Sequence, residues 1–114
     1  MEVQKTEFTL RRLQTENKLW VDHNFGQHEP WQPIFGAMEE LGELCHAVLK
    51  AKQGIRGTPE LHRAAIIDAV GDIIVYLADF VNTVDIDLQN AVEDTWNTVK
   101  QRDWKKFPKN GMTE

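Results

Sequence analysis

The sequence predicts an all-α domain, a four-helix bundle-like fold, on three observations. Apolar residues recur at helical spacing through four stretches. Each stretch is bracketed by a helix start or stop signal. No segment shows the alternating pattern of a half-buried strand. At 114 residues, without internal repeat or low-complexity linker, the chain reads as one domain spanning 1–114.

The first helix is expected from about Thr6 to His23, with Phe8, Leu10, Leu13, Trp20 and Val21 on its apolar face and Gly26 as its stop. A loop over Asn24 to Gln32 follows. The second helix starts near Pro33, a residue suited to a first turn, and ends at Gly54. Thr58 and Pro59 read as N-cap and first residue of the third helix, which continues to about Val84. Asp87 caps the fourth, where Leu88, Val92, Trp96 and Val99 form a stripe. The tail after Phe107 is expected to fray.

Composition excludes several classes of function. With 13 Lys and Arg against 18 Asp and Glu, the net charge is -5. That balance argues against a nucleic-acid polymer as partner. No apolar run approaches the length of a membrane span, roughly 18 residues. The N-terminus lacks a signal-peptide core. The single cysteine, Cys45, rules out an internal disulfide and is expected to be a small core residue. The expectation is a cytoplasmic protein. Charge is unevenly spread: Ala64 to Val99 holds no Lys or Arg, whereas Lys100 to Lys109 holds five bases and one acid.

The third helix is the most informative stretch. Ile66, Ile67, Val70, Ile73, Ile74, Leu77, Phe80 and Val81 surround much of its circumference, so it is expected to be substantially buried. Yet Asp68, Asp72 and Asp79 fall within an arc of about 40° at helical spacing, with Tyr76 and Thr83 nearby and Asn82 beside them. Buried carboxylates are costly unless paired, neutralised or bound to metal, and this helix carries no Lys or Arg after Arg63. On the second helix, Glu39, Glu40 and Glu43 share i,i+3 and i,i+4 spacings, so at least two can converge. Hard carboxylate oxygens favour Mg²⁺, with Mn²⁺ as the other candidate.

Glu39-Glu40-Leu41-Gly42-Glu43 is followed, on the next helix, by Asp68-Ala69-Val70-Gly71-Asp72. This ordered pair resembles the E-E-x-x-E and E-x-x-D motifs of the MazG-like nucleoside triphosphate pyrophosphohydrolases, all-α enzymes. The likeness continues through Ile73–Asn82 and Ile86–Lys106 and covers roughly Trp31 to Lys106. It implies Mg²⁺-dependent hydrolysis of a nucleoside or deoxynucleoside triphosphate to the monophosphate and pyrophosphate. It also implies a homodimer or a dimer of dimers, in line with the small enclosure one chain of this length provides. By matching positions, Glu40, Glu43 and Asp72 are metal ligands, and Glu39, with Glu43 as competitor, orients or deprotonates water. The pattern departs at residue 69, where the family's Glu is Ala69. Asp68, one turn from Asp72, is expected to take its place.

Substrate contacts are more open. Lys50, Lys52 and Arg56 either hold outer phosphates or are solvated cations favourable to a helix end. Trp31 either stacks on a base or anchors the first helix, and Phe25 and Trp20 offer further aromatic surface. Tyr76 matches a family position near the nucleotide, and Asn82 is a candidate for sugar or base contact. His23, His28 and His62 show no ligand spacing. Two alternatives belong to other classes. Glu43-Leu44-Cys45-His46 is a single Glu-x-x-His, where carboxylate di-iron bundles use two. A non-catalytic nucleotide-binding bundle is the other.

Overall fold

A computed structural model describes residues 7–114, and all regular structure among them is helical. Helix α1 spans Leu10–Asn24, α2 Trp31–Gln53, α3 Pro59–Thr83 and α4 Leu88–Val99. The first helix starts later than expected. Residues 7–9 are not helical, and the Thr9 hydroxyl accepts the Arg12 N–H as N-cap. Thr6 lies outside the described residues. Helix α2 starts two residues before Pro33. The remaining boundaries follow the sequence signals. Gly54 ends α2 in the left-handed region at φ 69°. Thr58 caps α3 over Pro59, and Asp87 caps α4.

Helices α2 and α3 form an antiparallel hairpin, the most extensive contact in the chain. Small residues let the two approach closely. Ala37, Ala47 and Ala69 are buried, and Tyr76 lies across Gly36 so tightly that a Cβ there would come within 2.6 Å of its Cδ1. Helix α1 packs on the C-terminal half of α3, where Ala78, Val81 and Leu88 make a small core with Leu10, Leu13 and Phe80. Gln14 fastens this junction. Its amide donates to Asn82 Oδ1 and Ile86 O, and its Oε1 accepts the Leu88 N–H at 2.8 Å. Arg11 meets Asp87 at 3.2 Å and Asn90 at 2.9 Å, tying the start of α4 to α1.

Two expectations are corrected. The tail does not fray after Phe107: Asp103 N–H donates to Gly111 O and Gly111 N–H to Phe107 O, closing residues 103–111 into a loop. Nor is α3 buried all round, because Ile67, Val70 and Ile74 face solvent, as do Phe35 and Met38 of α2 and Trp96 of α4. The radius of gyration is 18.2 Å. A compact chain near this length would have about 13 Å. A single chain therefore leaves much of its apolar helix surface uncovered. No described helix is long and apolar enough to cross a membrane.

Candidate carboxylate site

The Gly36–Tyr76 contact sets the register of the hairpin. One helical turn further along α2, and one turn back along α3, places Glu40 beside Asp72, and the next brings Glu43 level with Asp68. Glu40 is half-buried because it lies on the same side of α2 as Ala37 and Ala47. Its carboxyl is pushed above the ordinary carboxylate range. Desolvation is the largest cause, followed by the charges of Glu43 and Asp72, a hydrogen bond with Glu43 and the charge of Asp68. Glu43, Asp72 and Asp68 thus all act on Glu40, although the four come from two helices and two separate motifs.

None of these four carboxylates has an ion pair among the described residues. Negative charge is concentrated without a cation to offset it, which is the donor chemistry that suits a hard divalent ion. The side chains are not drawn into a closed cage: among the described residues, no three His, Cys, Asp or Glu side chains converge closely enough to hold an ion. Glu39 is exposed and is absent from the groups that raise Glu40. His46, the imidazole of the Glu-x-x-His, is likewise exposed and outside the set. So is Cys45, which is not a core residue.

Ala69 accounts for the departure in the second motif. It is 4% exposed, buried in the seam, whereas its neighbour Asp68 is exposed and shares the cluster with Asp72. A glutamate at 69 would start from inside the hairpin.

Asp79 leaves the arc of acids for a different partner. His28, in the loop before α2, places Nε2 2.8 Å from Asp79 Oδ1, with both side chains largely buried. His28 Nδ1 also lies 3.2 Å from Gly26 O. No sequence spacing singles out His28, because its partner is 51 residues away. This pair borders a cavity of about 330 Å³ that also meets Phe25, Gln32, Pro33 and Tyr76. Tyr76 stands one turn beyond Asp72, between that acid and the cavity along α3.

The other candidate residues are dispersed. Trp31 is 55% exposed and rests against Phe35, away from that cavity. Asn82 has both ends of its amide engaged by Gln14. Lys50 hydrogen-bonds Gln53, and Lys52 and Arg56 stand at the turn between α2 and α3. Gln53 is ten residues past Glu43, or about 15 Å along the helix. In comparisons with known proteins, the chain matches no family model and no curated sequence.

Proposed function

We propose that the chain is a Mg²⁺-dependent pyrophosphohydrolase of the MazG-like kind, cleaving a nucleoside or deoxynucleoside triphosphate to the monophosphate and pyrophosphate. The observation that carries this reading is the convergence of Glu43, Asp72 and Asp68 on Glu40 across the hairpin, with no Lys or Arg paired to the four among the described residues. Such a set repels a bare triphosphate and attracts the cation that accompanies one. These four residues would hold Mg²⁺ or Mn²⁺. When bound, the ion screens the phosphates, polarises a phosphoryl oxygen and lowers the pKa of water.

Glu39 lies outside the ligand set, so its carboxylate is free to orient the attacking water and take its proton, with Glu43 as the second candidate. Water adds at phosphorus, and the bond to the pyrophosphate leaving group breaks. The cavity beside Tyr76 suits the base. Phe25 and Tyr76 give aromatic surface, while Gln32 and His28 give polar groups at its border. Lys50, seven residues beyond Glu43 and on the same side of α2, would exchange its bond to Gln53 for an outer phosphate.

The working form is a homo-oligomer, a dimer or a dimer of dimers, supported by the exposed apolar surfaces of α2, α3 and α4. Pyrophosphate release from a panel of nucleoside triphosphates, with Mg²⁺, Mn²⁺ or chelator, tests the activity. The expected result is release that requires the cation. No release from any substrate in the panel would overturn the reading in favour of a bundle that only binds nucleotide. Light scattering at micromolar concentration should give at least twice the chain mass, and a fully active monomer would contradict the assembly.

A further inference from the structure

The turn between α2 and α3 has features that hydrolysis at the carboxylates does not use. His62, in the first turns of α3, is 8% exposed, and its Nε2 has no hydrogen-bond partner. A buried ring nitrogen left unpaired is costly, so it points to a group that the chain itself does not supply. The His62 ring lines a cavity of about 410 Å³ together with Gly54, Gly57, Pro59, Arg63 and Ile66. Gly57 lies against the ring in a backbone conformation that favours glycine. Its φ is 145°, and a Cβ there would sit 3.4 Å from His62 Cε1 and 3.6 Å from Nε2, so the backbone of the turn runs beside the unpaired nitrogen.

The charges around this cavity have one prevailing sign. Arg63 lines it, and Lys52 and Arg56 lie in the same stretch, against Glu60 alone between residues 52 and 63. Lys52, Arg56 and Arg63 have no ion pair among the described residues. Helix α3 also begins here, with the positive end of its dipole at the turn. The Thr58 hydroxyl takes the Leu61 N–H and the Thr58 carbonyl takes the His62 N–H, which leaves the Glu60 N–H without an acceptor. The Arg63 guanidinium, a backbone donor without an acceptor among the described residues and an unpaired imidazole share one helix start, an arrangement suited to an oxyanion.

We infer that the α2–α3 turn is a binding site for a phosphate group, distinct from the carboxylate cluster and independent of divalent metal. His62 stands six residues before Asp68 on α3, about 9 Å along the axis, and none of the four carboxylates lines the cavity. The recognised chemistry is a tetrahedral phosphate, whether inorganic phosphate, pyrophosphate or a nucleoside monophosphate.

The test uses the full chain in chelator-treated buffer, where the carboxylates repel phosphate. Each of the three phosphate compounds is titrated separately, and the Gly57 and Glu60 amides and the His62 imidazole are followed by NMR. The arm with the tightest binding identifies the source. The expected result is a saturable shift at these three residues, with none at Glu40 or Asp72. Arg63→Gln, an exposed substitution that should leave the fold intact, should weaken binding by about tenfold, the equivalent of about 1.4 kcal/mol. His62→Leu removes the imidazole and should abolish the saturable component. Shifts that do not saturate, that chloride reproduces, or that Arg63→Gln leaves unchanged would overturn the site. Metal-free phosphate binding without triphosphate hydrolysis would uphold this site and refute the proposed activity. Hydrolysis without such binding would do the reverse.

Discussion

Replacing Ala69 with glutamate separates the two ways of reading the second acidic motif. A motif-based register treats the change as restoring a ligand. The structure treats it as burying an acid, because residue 69 is 4% exposed in the hairpin seam. Two costs follow. Overfilling a packed seam typically costs about 1–3 kcal/mol. The charge adds more, up to the cost of holding the new carboxyl protonated at pH 7, about 4 kcal/mol for an ordinary pKa of about 4.3. Ala69→Gln carries the first cost without the second. At about 4–8 °C per kcal/mol for a domain near this size, Ala69→Gln should lower Tm by about 4–24 °C, and Ala69→Glu should lower it further. The difference between the two should shrink as pH falls, because the new acid's folded pKa lies above its unfolded value and its penalty is lost on protonation. Thermal unfolding by circular dichroism at pH 5 and pH 7, at one protein concentration, measures both. Wild-type Tm for Ala69→Glu together with faster pyrophosphate release would refute the placement of residue 69.

Glu43→Gln should abolish pyrophosphate release while the helical spectrum is retained; activity equal to wild type would remove Glu43 from the site. Asp68→Asn should raise the Mg²⁺ concentration needed for half-maximal release, and an unchanged Mg²⁺ titration would reduce Asp68 to a solvated surface residue. Because the Glu40 carboxyl is raised in the folded state, its destabilising effect is present at neutral pH and should be relieved as the group protonates on acidification. The Asp87 cap acts oppositely, its carboxyl being lowered first by the Asn90 N–H and then by Arg11, so its contribution is lost only in stronger acid. Calorimetry in chelator across an acid titration should show this relief in wild type and lose it in Glu40→Gln; identical pH profiles of Tm would be evidence against the charge cluster. His28→Ala leaves Asp79 largely buried without its partner and should cost about 1–3 kcal/mol, read as a shift in urea midpoint. An unaltered midpoint would mean that the His28–Asp79 contact contributes nothing.

Helix punctuation is legible in the sequence because it is local. Thr58-Pro59, Asp87 and Gly54 each act within a turn of their own position, and each marks the boundary expected of it. The facing of Glu40 and Glu43 toward Asp68 and Asp72 follows from helical spacing plus an antiparallel hairpin. What local spacing cannot supply is long-range. His28 gains its role from Asp79, far along the chain, and Asn82 is engaged by Gln14 rather than left open. Cys45 resembles a core residue by type, but its position on α2 faces solvent in a chain that leaves much apolar surface bare. The tail closes into a loop through backbone bonds that composition does not encode.

All four clustered acids belong to one hairpin whose helices are joined by a short turn, residues 54–58. Contacts so near in sequence form early in folding, because little chain entropy is lost in closing the loop. The like charges of Glu40, Glu43, Asp68 and Asp72 therefore oppose one another while the hairpin is zipping, before α4 has anything to dock on. A cation that bridges the two helices at that stage would speed folding as well as stabilise its product. With the proposed ion at these acids, the hairpin's closure rate would depend on divalent cations, whereas the α1–α4 clasp, built on Arg11 and Gln14, would assemble without them.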